Sequence, residues 1–515
     1  MKKEDVEDSK RCFIEPKAFR PMFFPFQSFR SALLSIRPLR ALRVSVVNSS
    51  ALRALLSTGL ILLTVCPAAA AELKVGVAEV DITAPQGYRM SGYFNERLNT
   101  GIHDPLKAKA LYLEQGEVRA ALVFCDLIGM PAEITAKARE LAQKQADVPG
   151  ANILIAATHS HTGPLFYGTL RDYFHRRAVE QKGADPAESV DYSAVLAEKL
   201  AGAVAAARSA AKPAQLAAGV TEQPGLSFNR RFHMKNGSVV FNPGKLNPNI
   251  VRVAGPIDPQ VGVLLVRDAA EQKPLGVLTV FALHLDTVGG TEYSADYPYY
   301  LERELRGKLG ANLVSMFGNG TCGDINHVDV TNDRPQKGQE EAERIGVELA
   351  KTVAAALPNL KPLAEPALAV RSTQVAVPLQ RYSPEQFAAA EANLPKVGTK
   401  ELSFLEQVEA CKIVAVGKRG VEVLPLEVQV FRLDGQTALV GLPGEVFVEL
   451  GLAIKQASPF PTTMVIELSN DNPHYVPTQK AFAEGSYETV NSIVQSGGGE
   501  MLLGAAVKLL KELKP

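Results

Sequence analysis

Asn152-Ile153-Leu154-Ile155-Ala156-Ala157-Thr158-His159-Ser160-His161-Thr162-Gly163-Pro164 is the stretch from which the rest of this chain is read. Its apolar first half reads as a buried strand and its polar second half as the loop that strand feeds, stopped by Gly-Pro. In extended backbone, residues i and i+2 project to the same side, so His159 and His161 are expected to present two imidazoles to one point. Two imidazoles at a strand end suit a metal, and they equally suit a hydrogen-bonded loop. Other residues must decide between the two.

Outward from that strand, the periodicity predicts further strands over 74–83, 107–113, 118–126, 261–266, 275–283, 312–317, 421–433, 437–441 and 463–468. Helices are predicted over 132–146, 193–211, 301–309, 336–357 and 500–513, with mostly helix over 384–416 and a hairpin turning at Asn236-Gly237. Leu442-Pro443-Gly444-Glu445 reads as the close of a strand and the opening of a helix. Five of the strands run into unusually polar loops: at His159, at His284-Leu285-Asp286, at 318–327, at Glu445 and at 470–475. Ligands of α/β sheets bind outside the carboxyl ends of strands, so these loops are the expected site. The expected fold is one large mixed α/β domain over 72–515, with central sheets flanked by helices and the site at the carboxyl ends of the strands.

The chain has 515 residues, enough for a large core, and 55 basic against 55 acidic side chains. A net charge of zero provides no field for nucleic acid. Residues 54–65 form a short apolar run preceded by Arg37, Arg40, Arg43 and Arg53 and followed by small residues, the pattern of a secretory signal. Cleavage is expected near Ala70 or Ala71, with residues 1–71 an extension plus signal peptide, and a secreted or periplasmic product without a transmembrane span. Val65 before Cys66 and Pro67 after it argue against a lipoprotein anchor. The mature chain keeps Cys125, Cys322 and Cys411, too few for a disulfide framework.

Histidines plus a carboxylate are a familiar ligand set for catalytic zinc. The candidates by residue type are His159, His161, His284, His327, Glu445, Asp286 and Asp324, which spacing alone cannot assemble. Asp324, His327 and Asp329 also suit a separate metal site or a tight Gly-rich turn.

The loops themselves resemble those of the neutral ceramidases, zinc amidohydrolases that cleave the N-acyl bond of ceramide. The resemblance is carried by Thr158-His159-Ser160-His161-Thr162-Gly163-Pro164, Phe281-Ala282-Leu283-His284, Leu442-Pro443-Gly444-Glu445 and His474-Tyr475-Val476, in the family's order. It implies zinc bound by His159, His284, Glu445 and Tyr475, with His161 handling a proton beside it. It also implies Tyr487 on the oxyanion and Arg230, in Asn229-Arg230, at the substrate end. The implied substrate is a small-molecule or lipid amide, with peripheral membrane contact.

Two departures stand out. Gly323-Asp324-Ile325-Asn326-His327 has Asn326 where the family supplies a serine, and the sequence ends without the family's immunoglobulin-like C-terminal module. Asn cannot act as a nucleophile, so water activated by zinc is the expected attacker, with Tyr487 and Asn326 donating to the oxyanion and His161 or Asp324 passing the proton to the amine. The alternatives are a metal-containing binding protein that has lost catalysis, or a zinc esterase or phosphoesterase on the same scaffold.

Overall fold

Alternation decides the layers. Along Val118–Cys125, Ala120, Leu122 and Phe124 face one side, while Ala121, Val123 and Cys125 face the other, and both sets are buried. A strand buried on both faces belongs inside a stack. In the computed structural model, which describes residues 71–515, that stack has four layers. A nine-stranded sheet runs in the order Val314–Asn319, Pro274–Phe281, Gln260–Asp268, Lys212–Glu222, Leu73–Asp81, Lys107–Gln115, Val118–Cys125 and Ile153–Ala157, with Lys361–Pro362 added on Lys212–Glu222. It is antiparallel through its middle and parallel at both ends, where Pro274–Phe281 meets Val314–Asn319 and Val118–Cys125 meets Ile153–Ala157.

One face packs on a four-stranded sheet, Ala369–Pro378, Val423–Arg432, Thr437–Gly441 and Thr462–Ile466, through Phe124, Leu154, Leu264, Met316, Phe431 and Met464. The other face is covered by the helices Ala132–Ala146, Tyr192–Ser209, Tyr297–Leu309 and Gln339–Ala356. The helices Val448–Ala457 and Gly498–Leu513 close the outer face of the smaller sheet. This is the mixed α/β arrangement of central sheets between helices that the sequence predicts.

Cys125, Cys322 and Cys411 are buried and free. Among the described residues, no helix is long and apolar enough to cross a membrane. The signal segment, its cleavage site and Cys66 lie outside the described residues.

Three differences from expectation bear on the site and the sheets. Gly168–Lys182 is a helix, Lys212–Glu222 is a central strand, and Glu445 lies not in a helix but in the two-residue strand Glu445–Val446, with the helix starting at Val448. That short strand pairs in parallel with Tyr475–Val476, with Glu445 directly opposite Tyr475.

Candidate metal centre

His159 does not sit on an extended strand. The strand ends at Ala157, and His159 takes φ +81°, a left-handed conformation costly for a residue with a Cβ. It is held there twice: its backbone N–H donates to the Leu127 carbonyl at 2.8 Å, and Nδ1–H donates to the Ile128 carbonyl at 2.7 Å. The pair of histidines therefore converges through a turn rather than through strand alternation. Gly92 permits that turn, since a Cβ there would lie 2.4 Å from the His161 carbonyl oxygen, and Arg97 donates to the same oxygen.

The Ile128 bond fixes the tautomer of His159 and leaves a bare lone pair on Nε2. His284, whose Nδ1 lies 3.4 Å from the Cys322 carbonyl, likewise turns Nε2 inward. The two Nε2 atoms are 2.9 Å apart, and His161 Nε2 is 3.3 Å from that of His159. Glu445 Oε2 lies 3.4 Å from His159 Nε2 and 3.7 Å from His284 Nε2, and among the described residues no hydrogen-bond donor reaches it.

These groups fit a cation. One shared proton would satisfy a single pair of the converging atoms and leave the others buried and unpaired. Ligands 2.0–2.1 Å from one tetrahedral zinc would lie about 3.3 Å from each other, inside the observed range. By contrast, the grouping of His175, Asp185 and Glu188 is already neutralised by Arg89 and Arg171.

Burial and the neighbouring His159 push His161 down to about 4, so its ring is neutral at physiological pH. Burial alone would raise Glu445, but the facing His159 outweighs it and holds the carboxyl well below its ordinary range. Burial, then Glu445, pushes the Tyr475 phenol up.

The other predicted residues divide. Arg230 is buried and donates to Glu488 at 2.9 Å, to the Gly323 carbonyl at 2.9 Å and to the Tyr475 hydroxyl at 3.0 Å, so it positions Tyr475 rather than lining the substrate end. Tyr487 lines a cavity of about 590 Å3 that also takes in His159, His161, Glu445 and Tyr475.

Asp324 is a correction: its Oδ1 accepts from Val448 N–H and its Oδ2 from Asn229, and it is absent from the cavity wall. Burial pushes that carboxyl up to about 6. Asn326 is a second correction: it donates to Asn242 and accepts from Val328 N–H, and it is absent from the cavity wall. His327 pairs with Asp286 at 3.2 Å and donates Nε2–H to Gln336, while Asp329 caps Thr331, so no second metal centre forms from them.

Sequence reading missed Ile128, Tyr167, Asn472 and Glu467. Glu467 is fully buried and receives the N–H groups of Cys322 and Val446, tying the loop behind His284 to the residue after Glu445. Its place after the apolar run 463–466 was the only signal.

Residues 73–328 match the profile of the family described as neutral/alkaline non-lysosomal ceramidase, N-terminal. A neutral ceramidase of Pseudomonas aeruginosa is 26% identical over 296 residues, which are 54% of this chain and 41% of that protein. The chain thus spans less than half the length of that curated relative. The crystal structure of neutral ceramidase from Pseudomonas aeruginosa superposes with a TM-score of 0.64 at 20% identity, covering 86% of this chain and 75% of that one. A structure described as ceramidase complexed with C2 gives 0.65 at 19% identity, over 86% and 76% of the two chains. At such identities the likeness shows the fold.

Proposed function

This chain belongs to the neutral/alkaline non-lysosomal ceramidase family, and from that premise we propose that it is an exported zinc-dependent amidohydrolase cleaving the N-acyl bond of a ceramide or related N-acyl lipid. The observation that carries the reading is the convergence of inward-turned imidazole Nε2 atoms on an unpartnered, buried Glu445 oxygen. Export rests on the signal-like segment 54–71.

His159, His284, Glu445 and Tyr475 would hold the zinc, with His161 beside it. A bound zinc polarises a carbonyl and lowers the pKa of water from 15.7 to about 7. The chain's own groups do the rest. The Ile128 carbonyl keeps the proton of His159 on Nδ1, and Arg230 fixes the phenol of Tyr475. Tyr487 accepts from Asn491 at 3.2 Å, which leaves its own O–H to donate to the oxyanion that develops on the carbonyl oxygen, worth about 3–4 kcal/mol. His161, neutral and half-buried at the cavity wall, carries the proton from the attacking water to the leaving amine. With no nucleophile at Asn326, water adds to the acyl carbon directly and the amine then leaves, without an acyl group passing through the chain.

Metal analysis with an acyl-amide panel tests this. About one zinc per chain is expected, lost from His159→Ala/His284→Ala together with fatty-acid release. Zinc bound without turnover of any amide overturns the amidohydrolase, and turnover of esters or phosphates instead identifies the esterase or phosphoesterase.

A further inference from the structure

Asn472 and Tyr167 both line the cavity, on a wall the proposed chemistry does not use. Asn472 is fixed at both ends of its amide. Oδ1 accepts from His474 N–H at 3.1 Å, so Nδ2 is the end that faces Tyr167, and it donates to the phenol oxygen at 2.8 Å. An amide that donates leaves the phenol no choice of role: its oxygen is the acceptor, and its own proton is left over. Among the described residues, no group accepts that proton.

Gly129 makes room for the pair. A Cβ there would lie 2.3 Å from both Asn472 Nδ2 and the Tyr167 oxygen. Gly129 directly follows Ile128, whose carbonyl orients His159, so the donor is anchored to the segment that sets the metal centre. Tyr167 itself follows the His159–Gly163 loop and immediately precedes the helix Gly168–Lys182, whose start sets the backbone that carries the phenol to the wall.

We propose that the Tyr167 hydroxyl, held as a donor by Asn472, is a specificity-determining contact for an oxygen acceptor on the substrate outside the scissile amide. The acceptor that Tyr167 reads is a hydroxyl or second carbonyl on one half of the N-acyl amine, which an all-hydrocarbon amide of the same length lacks. A site built to donate a hydrogen bond discriminates against an analogue without the acceptor, because the donor then loses its partner on the substrate.

This assignment rests on the amidohydrolase reading, and three probes separate the two: N-octanoyl alkylamine, the same amide with a hydroxyl on the amine half, and the same amide with a hydroxyl on the acyl half. The zinc-loaded protein should favour one hydroxylated amide over the plain amide in kcat/KM by about five- to tenfold. Tyr167→Phe, which removes one oxygen atom, should bring that ratio close to one, mainly through KM. Gly129→Ala should lower it too, by pushing Asn472 and Tyr167 apart without altering the phenol. A ratio unchanged in Tyr167→Phe overturns the inference, as does an equal fall on all three amides. Where no amide is hydrolysed the amidohydrolase reading fails, and calorimetric binding of the same amides to the native protein and to Tyr167→Phe decides the inference separately.

Discussion

At the residue scale, Arg230 shows how a buried charge serves the site without touching substrate. It and Arg231 grip Glu488, which is fully buried, while the other guanidinium donors hold the Gly323 carbonyl and the Tyr475 phenol. Removing one partner of such a set strands the remainder, a cost of about 3–5 kcal/mol. Arg230→Met is therefore expected to lower stability in urea by about that amount and to weaken zinc about 10–100-fold in a chelator competition, since Tyr475 loses its hold. Adding Glu488→Gln should recover part of the stability but not the zinc affinity, because it removes the stranded charge and leaves Tyr475 loose. A double variant no more stable than Arg230→Met would show that the charge was not the source of the cost.

At the element scale, the site depends on one short parallel pairing. Glu445 and Tyr475 are neighbours only because Glu445–Val446 lies beside Tyr475–Val476, and the turn before it is possible only with glycine at 444. Gly444 has φ +77°, and a Cβ there would lie 2.6 Å from the His474 carbonyl, which accepts the Glu445 N–H at 3.0 Å. Gly444→Ala is expected to cost about 1–3 kcal/mol of stability and to cut zinc affinity at least tenfold, measured by calorimetric titration with zinc. Retained affinity would mean that the pairing is not what delivers Glu445.

The same scale explains what could be read in advance. The polar loops after 156, 283, 441 and 468 were legible because each follows a strongly apolar run, and they bring His159, His284 and Glu445 together with Tyr475 opposite Glu445. Their meeting was not legible, since His159 and His284 are 125 residues apart and only the two sheets bring them together. The resemblance to known loops supplied what spacing lacked.

Lys212–Glu222 was missed because its alanines and its few apolar residues carry no strong alternation. Its place is set by the strand Gln260–Asp268, which pairs along its whole length. Gly168–Lys182 buries only Tyr173, Phe174 and Ala178, too narrow a stripe to read as a helix. Asp324 and Asn326 misled for a different reason: a polar residue in a functional loop looks the same in sequence whether it faces the cavity or ties the loop's own backbone.

At the scale of the whole molecule, the layer of helices and the large sheet are joined by a buried ionic cluster. Glu302, on the helix Tyr297–Leu309, meets Lys107 at 2.9 Å, Arg306 at 2.7 Å and the fully buried Lys109, while Lys107 N–H donates to Asp126 at 2.9 Å. Asp126 begins the segment whose next two carbonyls hold His159, so this cluster anchors the histidine cluster from behind.

Burial would raise Glu302, but Lys109 and Lys107 outweigh it and bring the carboxyl down from 4.5 to about 2. A carboxyl depressed in the folded state stabilises fully above its ordinary value and loses that contribution as pH falls toward its folded value, here between about 4.5 and 2 and of the order of 3 kcal/mol. Asp126 has the opposite sign, since burial pushes it up to about 6, so its protonation favours the folded state as pH falls below that. The sum over all carboxyls therefore hides Glu302, whereas the difference between native protein and Glu302→Gln isolates it. Urea unfolding at a series of pH values should find the native protein more stable at pH 6, with the gap closing as the pH is lowered from about 4.5 toward 2. A gap constant across that interval would mean that Glu302 is no more acidic in the folded protein than in the unfolded chain.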